Sequence, residues 1–140
     1  MRPLWKVAWA LPGSIAGFLI APFFKHRRVV KGAMVCEGAT WPRKVGFRHR
    51  AMTLGQVVLC IDDLDEGTLE HELVHVAQWE RWGIAFLPAY LVATLVASLR
   101  GGHFYRDNAF EVQARRISGH SQRFSRRGGE VLWRLGRRLI

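Results

Sequence analysis

Acidic residues are scarce in this chain. Eleven Asp and Glu stand against 21 Lys and Arg, a formal charge of +10. Seven of the eleven fall between Asp62 and Glu80, so the remainder is overwhelmingly basic and suited to a polyanion, either nucleic acid or anionic lipid headgroups. Cysteine is nearly absent. Cys36 and Cys60 have neither zinc-knuckle spacing nor a pattern that argues for a disulfide, and they read as buried free thiols of a reducing compartment. No helix-turn-helix, zinc-finger or aromatic RNA-binding signature accompanies the basic residues, which places nucleic acid last among the partners. Apolar runs of comfortable membrane-spanning length are lacking as well. Val7 to Phe24 is uncharged but interrupted by Pro12, Gly13, Gly17 and Pro22. Ile84 to Leu99 covers about 24 Å as a helix, short of a roughly 30 Å hydrocarbon core.

What is present suits one modest core: 140 residues, 49% apolar and 11% aromatic, exclude a disordered chain. Residues 1–28 form an apolar arm ending in Lys25-His26-Arg27-Arg28. Three readings fit it: an interfacial or anchoring segment, a core-covering arm, or a cleaved signal. From Val29 to Ile61 short runs alternate with turn residues, and Val29–Val35, Arg43–Arg50 and Gln56–Ile61 read as three strands of a small antiparallel sheet. An edge strand near the motif that follows could hold an extended peptide by main-chain pairing.

That motif is His71-Glu72-Leu73-Val74-His75, H-E-x-x-H. On a helix, residues four apart share a face, so both imidazoles can reach one zinc ion, while Glu72 lands beside the metal as a general base must. Asp63, three residues before Glu66, suggests a capping box with Asp65 in the first turn, and Gly83 a stop. Leu69, Leu73, Val76 and Ala77 form an apolar stripe. His71, His75, Gln78 and Trp82 share the other side. The next helix, Ile84 to Leu99, has no polar face. A single membrane crossing there would separate the histidines from any later ligand, so it reads as buried, interfacial or re-entrant.

Beyond it, Asn108 or Asp107 can cap a helix that Gly119 ends. Glu111 on that helix is either the third ligand or a capping-box glutamate closing on the backbone; His103 and Asp107 are the rival ligands. The tail, residues 119–140, is rich in arginine, and Glu130 to Ile140 has basic amphipathic spacing. It fits a membrane-surface foot, a helix docked on the core, or a nucleic-acid contact.

H-E-L-V-H-V-A-Q-W-E-R-W-G followed by Y-R-D-N-A-F-E-V-Q-A resembles a small bacterial zinc-metallopeptidase-like family of the gluzincin type, over about Val57 to Arg116. The resemblance implies an α+β, zincin-like core over residues 29–118. Its small sheet would pack on the H-E-x-x-H helix and a second, glutamate-bearing helix. It implies Zn2+ on His71, His75 and Glu111, Glu72 as base, and hydrolysis of a peptide or protein substrate. Many relatives carry an aspartate four residues after the ligand glutamate; here that position is Arg115. Tyr105, His103 and Arg106 are candidates to stabilise the oxyanion. The expected location is cytoplasmic or membrane-associated. The alternative is a non-catalytic, basic, membrane-associated protein with a structural or vestigial zinc site.

Overall fold

A computed structural model describes residues 3–39, 41–46 and 49–119. Beyond Gly119 the basic tail lies outside the described residues. The elements run α1 (Leu4–Ile20), β1 (His26–Val30), β2 (Ala33–Glu37), α2 (Trp41–Lys44), β3 (Ala51–Leu54), β4 (Val57–Cys60), α3 (Glu66–Trp82), α4 (Phe86–Leu99) and α5 (Ala109–Ile117). The fold is α+β with a four-stranded mixed sheet in the order β1-β2-β4-β3. β1–β2 and β4–β3 pair antiparallel, while β2 and β4 pair parallel.

The sheet therefore differs from three antiparallel strands in two places. Val29–Val35 is not one strand but a hairpin, because Lys31 and Gly32 both take positive φ (48° and 79°), the two-residue turn that matches strand twist. Within Arg43–Arg50, Arg43 and Lys44 belong to α2, whose start at Trp41-Pro42 suits a proline-bearing first turn. None of the described residues of this run lies in a strand, and Phe47 and Arg48 fall outside the described residues.

The core has three parts. Val35 and Val58 meet Val76, Leu69 and Leu73 of α3 on one sheet face. Cys36, Val57 and Leu59 meet Ala21 and Phe24, just past α1, on the other. Ala10, Trp79, Phe86 and Phe110 join α1, α3, α4 and α5. Ala77 is exposed rather than part of the apolar stripe. Asp65, not Asp63, caps α3: its side chain accepts from the Thr68 backbone N–H at 3.1 Å, so Glu66 opens the helix instead of closing a box. Both cysteines are free and buried, and burial pushes the Cys60 thiol up to about 11.

The apolar arm is built into this body. The residues that α1 buries, Ala10, Gly13, Ser14 and Gly17, are all small. The Ser14 hydroxyl donates to Ala10 O and accepts from the Gln56 N–H, each at 3.0 Å, pinning α1 to the β3–β4 turn. A Cβ on Gly13 would sit 2.7 Å from the Trp79 ring and 2.8 Å from the Gly55 backbone nitrogen. Gly13→Ala should therefore destabilise the protein by about 1–3 kcal/mol, the usual cost of overpacking, measured by urea unfolding.

Glu37 fixes the loop that launches the motif helix. Its carboxylate accepts from Arg28 Nε and Nη2, both at 3.1 Å, and from the Leu64 N–H at 3.0 Å. Burial raises its pKa, but those donors and the Arg28 charge outweigh burial and hold it below its usual value. A depressed folded pKa means stabilisation present above the unfolded carboxyl's titration, about 4.3, and lost as pH falls through the folded value. Glu37→Gln should cost about 1–3 kcal/mol near neutrality, the range for charge-assisted hydrogen bonds. Denaturation at several pH values should show the gap to the parent closing in acid.

Candidate metal centre

α3 presents His71 and His75 from successive turns, and α5 brings Glu111 against them. His71 Nε2 and His75 Nε2 lie 3.1 Å apart. Glu111 Oε2 is 3.2 Å from His71 Nε2, and Oε1 is 3.3 Å from His75 Nε2. Each imidazole thus meets its own carboxylate oxygen, and one ligand atom from each of His71, His75 and Glu111 lies within 4.8 Å of the others, so the three could share one metal ion. Glu111 is 3% exposed, and its Oε2 accepts no hydrogen bond. A buried carboxylate oxygen beside the His71 imidazole without a hydrogen-bond donor is a fit for a cation.

The Glu111 side chain thus does not close back on its own backbone. Asn108 caps α5 alone, accepting from the Phe110 N–H at 2.9 Å. Its amide nitrogen donates to Tyr90 O and Thr94 Oγ1, which ties α5 to α4 and places Glu111.

Gln78 orients His75. Its Nε2 donates to Phe110 O at 3.1 Å and to Gln113 Oε1 at 2.9 Å, which leaves Oε1, 2.8 Å from His75 Nδ1, as acceptor. His75 Nδ1 therefore carries a proton, and Nε2 is the atom turned toward Glu111. Burial disfavours the charged imidazole, but the Glu111 charge and hydrogen bond, the Glu72 charge and Gln78 together raise it to about 9. Burial likewise disfavours ionised Glu111, yet His75 and His71 hold it well below the usual carboxylate range. The cluster is a carboxylate held between two imidazoles, a donor set that could hold a metal ion.

Glu72 is buried on the same helix, and its Oε2 accepts from Thr53 Oγ1 of β3 at 2.6 Å. Thr53 is held in turn, since its carbonyl accepts from Trp79 Nε1 at 3.1 Å. β3, the sheet's edge on this side, contributes Ala51, Met52, Thr53 and Leu54 to a cleft of about 390 Å3 that also reaches Glu72, His75 and Glu111. β4 is interior to the sheet, and β3 is the edge strand on this side.

Of the oxyanion candidates, Tyr105 lines this cleft, and burial together with the Glu111 and Glu72 charges keeps its phenol protonated well above the usual range. His103 stands apart from the cleft lining. It is exposed, stacks on Phe104 at 4.6 Å, and its Nδ1 accepts from the Tyr105 and Arg106 N–H groups. Arg106 is exposed as well. Arg115 donates to Arg106 O and lies 3.9 Å from Glu111 Oε2. Asp107 binds the His103 N–H at 2.7 Å rather than joining the histidines.

Tyr90 is a site residue that sequence reasoning missed. Its hydroxyl donates to Glu111 Oε1 at 2.8 Å, and burial and the Glu111 charge raise its pKa. The available signal was a phenol inside the uncharged run from Ile84 to Leu99. Fold and site together define an α+β domain with a His–His–carboxylate cluster at the end of an apolar cleft. No family model, curated protein or solved structure matches the chain.

Proposed function

We propose that the protein is a zinc-dependent metallopeptidase of the zincin type, with His71, His75 and Glu111 as metal ligands and Glu72 as general base. The observation that carries this reading is the convergence of Glu111 on the two imidazoles, with Glu72 buried in the same cleft. Zinc at such a site supplies a Lewis acid and an acidified water. Glu72, steadied by Thr53, accepts the proton released as water attacks the peptide carbonyl and passes it to the departing amine. Tyr105, kept protonated, donates to the oxygen on which charge develops. The edge of β3 pairs with an extended peptide through its main chain.

Metal analysis of purified protein should find about one zinc per chain, the content of a single mononuclear site. A quenched-fluorescent peptide library should be cleaved, with activity removed by chelator and restored by zinc. A second reading, a structural or vestigial zinc site, draws on Arg115 beside Glu111, where the resembling family often has an aspartate. Full zinc content without cleavage of any peptide would favour it.

A further inference from the structure

Two helices invert the usual amphipathic order. α1 turns its small residues inward and leaves Trp5, Trp9, Ile15, Phe18 and Leu19 exposed. α4 buries only Phe86 and Ala97, while Leu87, Leu91, Val92, Leu95 and Leu99 are 46–77% exposed. In water the large apolar side chains go inside. α1, which meets its neighbours through Ala10, Gly13, Ser14 and Gly17 and turns its large side chains outward, is packed as helices are in lipid. An apolar stretch within Leu4–Phe23 and another within Glu66–Leu99 are only 28% and 17% buried, whereas a core helix is mostly buried. As α-helices, α1 and α4 measure about 26 Å and about 21 Å, less than a roughly 30 Å hydrocarbon core, which suits lying in the interface rather than spanning.

Charge identifies what covers these faces. No acid occurs in residues 1–36, which carry Arg2, Lys6, Lys25, Arg27, Arg28 and Lys31. None occurs in residues 81–106 around α4, where the charges are Arg81, Arg100 and Arg106. A second copy of the chain would bring cationic flanks together. Anionic headgroups complement them, and tryptophans such as Trp5 and Trp9 favour the headgroup level. The catalytic cleft shares this surface, because Leu87, Leu91 and Phe104 line it and are themselves exposed.

We infer that α1 and α4 seat the protein in the interface of an anionic bilayer with the cleft opening on that side, so that its substrate is an apolar peptide segment lying at the membrane. The substrate half rests on the peptidase reading; the bilayer half does not.

Flotation with phosphatidylcholine vesicles, with and without phosphatidylglycerol, tests the seat. The parent should float with the anionic vesicles at least about tenfold more than with neutral ones, and less at high salt. Leu95→Glu/Leu99→Glu on α4 and, separately, Ile15→Glu/Leu19→Glu on α1 should sink while keeping the parent's zinc content. If one pair fails to fold, the other decides. Glu111→Ala should float like the parent. A parent that stays down with anionic vesicles overturns the seat, as does a lipid-free dimer that the α4 pair dissociates. For the substrate, one fluorogenic sequence is presented free or joined to a membrane-inserted apolar flank. The parent should prefer the anchored form by about tenfold or more, and the α4 pair should lose that preference while cleaving the free peptide at the parent's rate. Equal parental rates on both forms overturn the substrate half. Cleavage of neither, with zinc bound and flotation intact, overturns the peptidase reading and its substrate while the bilayer seat stands.

Discussion

Glu72→Gln should keep its zinc and lose hydrolysis, by about 10²–10⁴-fold, the contribution typical of a general base. The substitution keeps the side chain's shape and leaves a carbonyl oxygen to accept from Thr53 Oγ1, so the cleft stays intact. Glu72 is absent from the His71–His75–Glu111 triangle, so the ligand set is untouched. Zinc stoichiometry and steady-state cleavage on the same sample check both halves. A variant that cleaves as fast as the parent removes Glu72 from the chemistry. Thr53→Val should act in the same direction more weakly, by freeing the Glu72 carboxylate from its one hydroxyl donor.

Glu111→Ala should lose zinc by more than the roughly 10–100-fold typical of removing an outer hydrogen-bond partner, because it deletes a ligand. The carboxylate that meets His71 and His75 at 3.2 and 3.3 Å is removed, leaving a histidine pair, and Tyr90 loses its acceptor. Glu111→Gln separates charge from shape: it keeps an acceptor for Tyr90 but supplies only a neutral amide, so zinc should again be lost. Competition with a chromophoric chelator measures both. If Glu111 served only to hold α5, both variants would lower the melting temperature equally with and without chelator. As a ligand, it makes the difference between them and the parent largest when zinc is present.

The local features of this site were legible because they depend on spacing along the chain. His71 and His75 share a face of α3, Gly83 ends that helix at φ 56°, and Asn108 starts the helix that bears Glu111. The sheet was less legible. Lys31-Gly32 is an uncommon hairpin pair, and the alternation through Arg43–Arg50 mimicked a strand where α2 ends. Thr53, Gln78 and Tyr90 carry no motif, since each matters only through a partner distant in the chain or a buried carbonyl.

By itself the sequence determined which residues lie on the same side of each helix, where helices start and stop, and how charge is distributed, because these follow from backbone geometry and composition. Only the tertiary structure decided what each side meets: that α5 closes on α3, that Gln78 Oε1 accepts from His75 Nδ1, and that α1 packs through Ala10, Gly13, Ser14 and Gly17. The physical reason is that periodicity names a face, whereas contact with a neighbour and the exclusion of water depend on segments far apart in the chain.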